Sequence, residues 1–154
     1  MADMKFKFTI QPYQTEAVES VVGVFAGQPF NDRFTYRRDV EIKRDVTNWM
    51  IPEEELYMGF ANARVQLDSG QLLNNIRRIQ TRNNIKLSET VTTGGLGACS
   101  LDVEMETGTG KTYVYIKTMF ELNKQYGWSK FIVVVPSIAI REGVRKSFET
   151  MQDH

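Results

Sequence analysis

Five residues in a row, Gly108-Thr109-Gly110-Lys111-Thr112, combine two glycines with a lysine and a hydroxyl. This grouping is suited to a chain of phosphates. Glycines let the backbone wrap tightly and present N–H groups to anionic oxygens, where a β-carbon would obstruct. A lysine at the start of the following helix can reach the β and γ phosphates, and a threonine hydroxyl beside it can ligate Mg²⁺. Thr107 and Thr109 add short hydroxyls and backbone donors around the same oxygens. The chemistry predicted is binding of a nucleoside triphosphate with Mg²⁺, held by Thr107, Gly108, Thr109, Gly110, Lys111 and Thr112. Lys111 and Thr112 carry the catalytic assignment, and Thr112 carries the metal assignment. The strict phosphate-loop pattern has glycine where Met105 stands here. A plainer reading of Thr-Gly-Thr-Gly is a flexible turn before a surface lysine.

Such a loop needs a support before it and a helix after it. Residues Ser100 to Met105 are expected as a strand, Lys111 to about Tyr126 as a helix closed by Gly127, and Phe131 to Val135 as a second, β-branched strand. Pro136 stops that strand and Ser137 can cap a last helix, whose inner stripe is Ile140, Val144 and Phe148. Strand, helix, strand, helix predicts an α/β fold, an incomplete parallel sheet with flanking helices. Upstream, an amphipathic helix is expected from Pro12 to about Phe25, and another from Ser69 to Arg82 with Leu72, Leu73, Ile76 and Ile79 inward. Between them stand an expected strand at Phe34 to Ile42 and an acidic turn at Pro52 to Glu55, and Gly94 to Gly97 reads as a further turn. With two parallel strands only, the sheet is unfinished, so the sequence is expected to be a piece of a longer chain.

Composition narrows the classes. The 154 residues, 42% of them hydrophobic, suit one domain, and 19 basic residues balance 19 acidic ones. No net positive field attracts nucleic acid, so any DNA contact must be local. One cysteine and one histidine leave no disulfide and no metal-ligand cluster. No apolar run is long enough for a signal core or a membrane span, and a cytoplasmic location without membrane contact is expected.

The string Leu101 to Tyr115, with its loop of non-glycine start, resembles motif I of superfamily 2 helicases and translocases. It is most similar to the type III restriction endonuclease Res subunit. Two other stretches agree: Pro12-Tyr13-Gln14-Thr15-Glu16-Ala17 resembles the segment whose glutamine reads adenine, and Val133 to Arg141 resembles the DNA-backbone motif that follows. The resemblance implies a RecA-like motor domain with Q-motif-like residues 8–27, a family-specific insertion over 28–97 and a phosphate-loop unit over 98–150. It implies ATP and Mg²⁺ as cofactors, Gln14 on the base, and Pro136, Ser137 and Arg141 on the DNA backbone. Double-stranded DNA and a modification (methyltransferase) subunit are the implied partners of the full-length protein. An amide at Gln14 can donate to and accept from an adenine edge, which favours ATP over GTP. Equally, Gln14 can be a solvated helix residue and Ser137 only a cap.

Hydrolysis also needs an acid to position Mg²⁺ and water, and an arginine for the transferring phosphoryl group. No Asp-Glu-x-His string is present, and neither is the family's nuclease motif, so this stretch alone is expected at best to bind ATP weakly, without turning it over or cutting DNA. Alternatives are a piece of another superfamily 2 DNA or RNA helicase, or a non-catalytic interaction module whose exposed strand edge pairs with another chain. A small kinase or GTP-binding protein is disfavoured, because Val135-Pro136-Ser137 stands where its acidic Mg²⁺ motif belongs. Arg77, Arg78, Arg82 and Lys86 offer a basic patch, better explained as a solvated helix face.

Overall fold

The computed structural model describes residues 9–31, 62–94 and 97–151. Four helices lie in these stretches: α1 (Pro12–Gly23), α2 (Ser69–Arg82), α3 (Lys111–Tyr126) and α4 (Ile138–Met151). The expected strand at 34–42 and acidic turn at 52–55 lie outside the described residues.

Each helix has a local cause. Pro12 occupies the first turn of α1, where its missing N–H costs nothing, and the Gln14 Oε1 accepts from the Gln11 N–H at 3.0 Å. In α2 the Asp68 carboxylate accepts from Gln71 N–H at 2.8 Å while Gln71 Oε1 accepts from Asp68 N–H at 3.0 Å, a reciprocal cap. Helix α3 runs between two left-handed glycines, Gly110 at φ 89° and Gly127 at φ 76°. The Gly127 N–H closes the last turn on Asn123 O at 2.8 Å.

Helix α1 is the centre of the packing. One face meets α3, where Val18 and Val22 bury against Val114, Leu122, Tyr126 and Trp128. The Phe25 ring stands edge-on to Trp128, with centroids 4.9 Å apart. The other side of the α1 segment meets α2 through Val24, Leu72 and Ile76. Leu73 and Ile79 are half-buried, so the inward stripe expected for α2 is graded. Ile116 is 1% exposed and anchors α3. Burial also pushes the Tyr126 phenol and the Cys99 thiol above their ordinary pKa values.

The expected parallel sheet is overturned: among the described residues there are four helices and no strand. Residues 100–105 and 131–135 carry no ladder. A β-branched run states which side chains a sheet would accept, but a strand exists only when another backbone exchanges hydrogen bonds with it. Here Ile132 is 92% exposed and Val134 88% exposed, so the run is uncovered on that face. Ile140, expected inward, is exposed as well, whereas Val144 and Phe148 are half-buried.

Side-chain amides do part of the work a ladder would do. Asn62 Oδ1 accepts from the Ser129 and Lys130 N–H groups at 3.0 and 2.9 Å, and its Nδ2 donates to Lys130 O at 2.6 Å. Buried Gln28 donates to Arg64 O at 3.2 Å and accepts from Gln66 N–H at 2.8 Å. Asn75 Nδ2 donates to Val24 O and Ala26 O, both at 2.9 Å, which satisfies carbonyls at the end of α1. These bonds join segments far apart in sequence without a sheet.

Candidate functional site

The loop joins the extended stretch 100–105 to α3. Its tightest turn is closed by the Thr109 hydroxyl, which donates to Glu106 O at 2.7 Å. Gly108 (φ 83°) and Gly110 (φ 89°) both take left-handed backbone, as the sequence requires at these two places. They differ in surroundings. A β-carbon at Gly108 would meet open space, whereas one at Gly110 would run into the Gln14 amide. The loop is therefore open at Gly108 and sealed at Gly110.

The seal comes from α1. Gln14, only 5% exposed, donates from Nε2 to Thr109 O at 2.9 Å. The Tyr13 hydroxyl donates to the same oxygen at 3.2 Å. Sequence reasoning gave Gln14 to a base and gave Tyr13 nothing; the structure puts both on the loop backbone. Gln14 keeps one N–H and one lone pair beyond these contacts.

Lys111 is exposed at the first position of α3, and Thr112 is half-buried beside it. The first N–H groups of a helix lack acceptors within it and sit at the positive end of its dipole. With Gly108 uncovered and Lys111 free to approach from the front, the arrangement fits an anionic, multiply charged group. Thr107 and Glu106 are exposed on the rim, and Thr109 and Gly110 are half-buried under the Gln14 seal.

Behind the loop lies a groove of about 690 Å³ between α1, α2 and residues 85–106. Tyr13 and Thr109 form its border with the loop, and Glu16, Asp102, Glu104 and Glu106 line it, without a lysine or arginine. Like charge on these carboxylates disfavours an anionic group on this side of the loop. No group of three or more His, Cys, Asp or Glu able to hold a metal occurs among the described residues.

The residues expected on a DNA backbone are not part of the loop. Pro136 and Ser137 are exposed between the 131–135 run and α4. The Ser137 hydroxyl accepts from Ile140 N–H at 3.3 Å, which makes it a helix cap. Arg141 is paired with Glu142 at 3.0 Å on the surface, a contact weak enough to exchange. In the basic patch, Arg77 Nε donates to Ser88 O at 2.8 Å and Arg82 donates to the Ser20 hydroxyl at 3.0 Å. Those two arginines tie segments together, while Arg78 and Lys86 are simply exposed.

A glycine-bearing loop opens a helix here, with lysine and threonine at the helix start. Comparison with known proteins gives the particular family. A family model described as "Type III restriction enzyme, res subunit" matches residues 7–154, and the chain belongs to that family. It is 46% identical over 83 residues to the EcoP15I Res subunit of Escherichia coli, a match covering 54% of this chain and 8% of that protein. To the EcoPI Res subunit of Escherichia phage P1 it is 42% identical over 82 residues, 53% of this chain and 8% of the relative. To the StyLTI Res subunit of Salmonella typhimurium it is 61% identical over 46 residues, 30% of this chain and 5% of the relative. The matched stretches span under a tenth of these relatives' length. The family resemblance seen at Leu101 to Tyr115 is thereby borne out. No helix among the described residues is long and apolar enough to cross a membrane.

Proposed function

We propose that this chain binds ATP with Mg²⁺ through residues 107–112 and serves as part of the motor of a type III restriction Res subunit. The observation that carries the proposal is the asymmetric loop: open at Gly108, where phosphates can approach, and held from behind at Gly110 by α1. Backbone N–H groups at the start of α3 and the Lys111 ammonium receive the β and γ phosphates, and the Thr112 hydroxyl ligates Mg²⁺. The metal ion neutralises phosphate charge when bound. The remaining amide capacity of Gln14 selects adenine over guanine.

In the full-length protein this site would drive movement along double-stranded DNA, with Pro136, Ser137 and Arg141 on the backbone and a modification subunit as partner. Helix starts and arginines suit phosphate contacts, which position a protein without reading sequence. The acid that activates water, the arginine for the transition state and the nuclease centre are expected from other parts of that protein.

The test is a titration with Mg²⁺ and a fluorescent ATP analogue, competed by ATP and by GTP, for the wild-type chain and Lys111→Ala. Saturable binding, competed better by ATP and weakened at least tenfold in the variant, is expected. Wild type and variant that behave alike at millimolar nucleotide would remove the proposal.

A further inference from the structure

We propose that Tyr13 is a positioning residue for the phosphate loop: its hydroxyl, with the Gln14 amide, locks the Thr109–Gly110 peptide in the orientation that phosphate binding needs. This inference rests on the nucleotide reading above and deepens it.

The argument starts from one carbonyl. Thr109 O accepts from Gln14 Nε2 at 2.9 Å and from the Tyr13 hydroxyl at 3.2 Å. Tyr13 and Gln14 are neighbours in the first turn of α1, and neighbours on a helix project about 100° apart. Their two donors therefore reach the oxygen from different directions and can occupy both of its lone pairs. A single hydrogen bond leaves a carbonyl free to swing about its bond axis, whereas two from different directions fix the peptide plane.

A trans peptide carries its C=O and the next N–H on opposite sides. Holding Thr109 O towards α1 thus sends the Gly110 N–H to the far side, away from α1. Gly110 itself caps α3 and has φ 89°, and the Gln14 amide lies against its α-carbon, so no other residue fits there. The Thr109 hydroxyl is already committed to Glu106 O at 2.7 Å and cannot replace the Tyr13 contact.

The two clamp residues differ in their surroundings. Gln14 is buried and also accepts from Gln11 N–H, so replacing it disturbs the start of α1. Tyr13 is 46% exposed, and Tyr13→Phe removes only the hydroxyl. The clamp acts on phosphates and is blind to the base. Loss of one net hydrogen bond from the loop predicts an affinity drop of about three- to tenfold, equal for ATP, GTP and inorganic tripolyphosphate.

Two readouts on the 154-residue chain test this. The first is the amide resonance of Gly110 in wild type and Tyr13→Phe, without nucleotide. The second is the dissociation constant of Mg²⁺ with ATP, GTP and tripolyphosphate for both proteins. The expected result is a displaced or broadened Gly110 resonance, unchanged thermal midpoint, and the same fold loss for all three ligands. An unchanged Gly110 resonance overturns the clamp, and a loss for ATP that tripolyphosphate does not share overturns it too, placing Tyr13 on the base instead. If wild type binds none of the three ligands, the nucleotide reading fails, while the Gly110 resonance still decides whether Tyr13 sets the loop.

Discussion

The two junctions that lead into α3 and α4, 100–112 and 131–141, have a similar order of parts and opposite surroundings. Both place an extended stretch before a turn and a helix. At the first, Tyr13 and Gln14 come from nearly a hundred residues away to fix the turn, and the helix that follows packs along α1. At the second, Ile132 and Val134 are almost fully exposed and the turn carries the Ser137 cap, a contact within the turn and helix themselves. The difference teaches that a motif becomes a site when distant side chains fix its backbone. Local pattern supplies only the raw loop.

Core truncation would sharpen the comparison most. Ile116→Ala is expected to cost about 2–5 kcal/mol, because the side chain is essentially sealed in α3. The matching change Ile132→Ala should fall within about 0.5 kcal/mol, since water already covers that residue. Chemical denaturation of both variants measures this, and equal losses would show that the 131–135 run is as well packed as α3. A smaller effect is expected at the second junction. Ser137→Ala should cost about 1 kcal/mol and fray the start of α4, visible as faster amide exchange at residues 138–141. A silent substitution would mean the hydroxyl is not capping and is free for another partner.

Helices were the legible part of the sequence. The helices at about Lys111 to Tyr126 and near Ser69 to Arg82 were readable, because lysine after a glycine loop and Gly127 after Tyr126 are local start and stop signals and Leu72, Leu73, Ile76 and Ile79 repeat at helical spacing. Helix α1 ends at Gly23, two residues before the expected Phe25, where Asn75 takes over its last carbonyls. The strands were misread for a physical reason. Phe131 to Val135 has the composition of a buried strand, but pairing depends on a neighbour that no single stretch announces. The amide bonds of Asn62 and Gln28 were invisible for the same reason, since their partners lie 36 to 68 positions away.

In the candidate site, the glycine turn and the helix start at Lys111 were readable, and the double use of Gln14 was not. An amide that both caps its own helix and grips Thr109 has the same sequence signature as one that reads a base. Tyr13 carried no signal beyond its place beside Pro12 and Gln14. The family resemblance rested on the residues Leu101 to Tyr115, with Pro12 to Ala17 and Val133 to Arg141 in agreement, and it stands even though the expected sheet does not.

Amide hydrogen exchange with and without Mg²⁺ and ATP tests the central claim most directly, because it reports both junctions in one experiment. Saturable slowing at residues 106–112, with little change at 131–137, is the predicted result. Protection absent from 106–112, or appearing only at 131–137, would contradict the account.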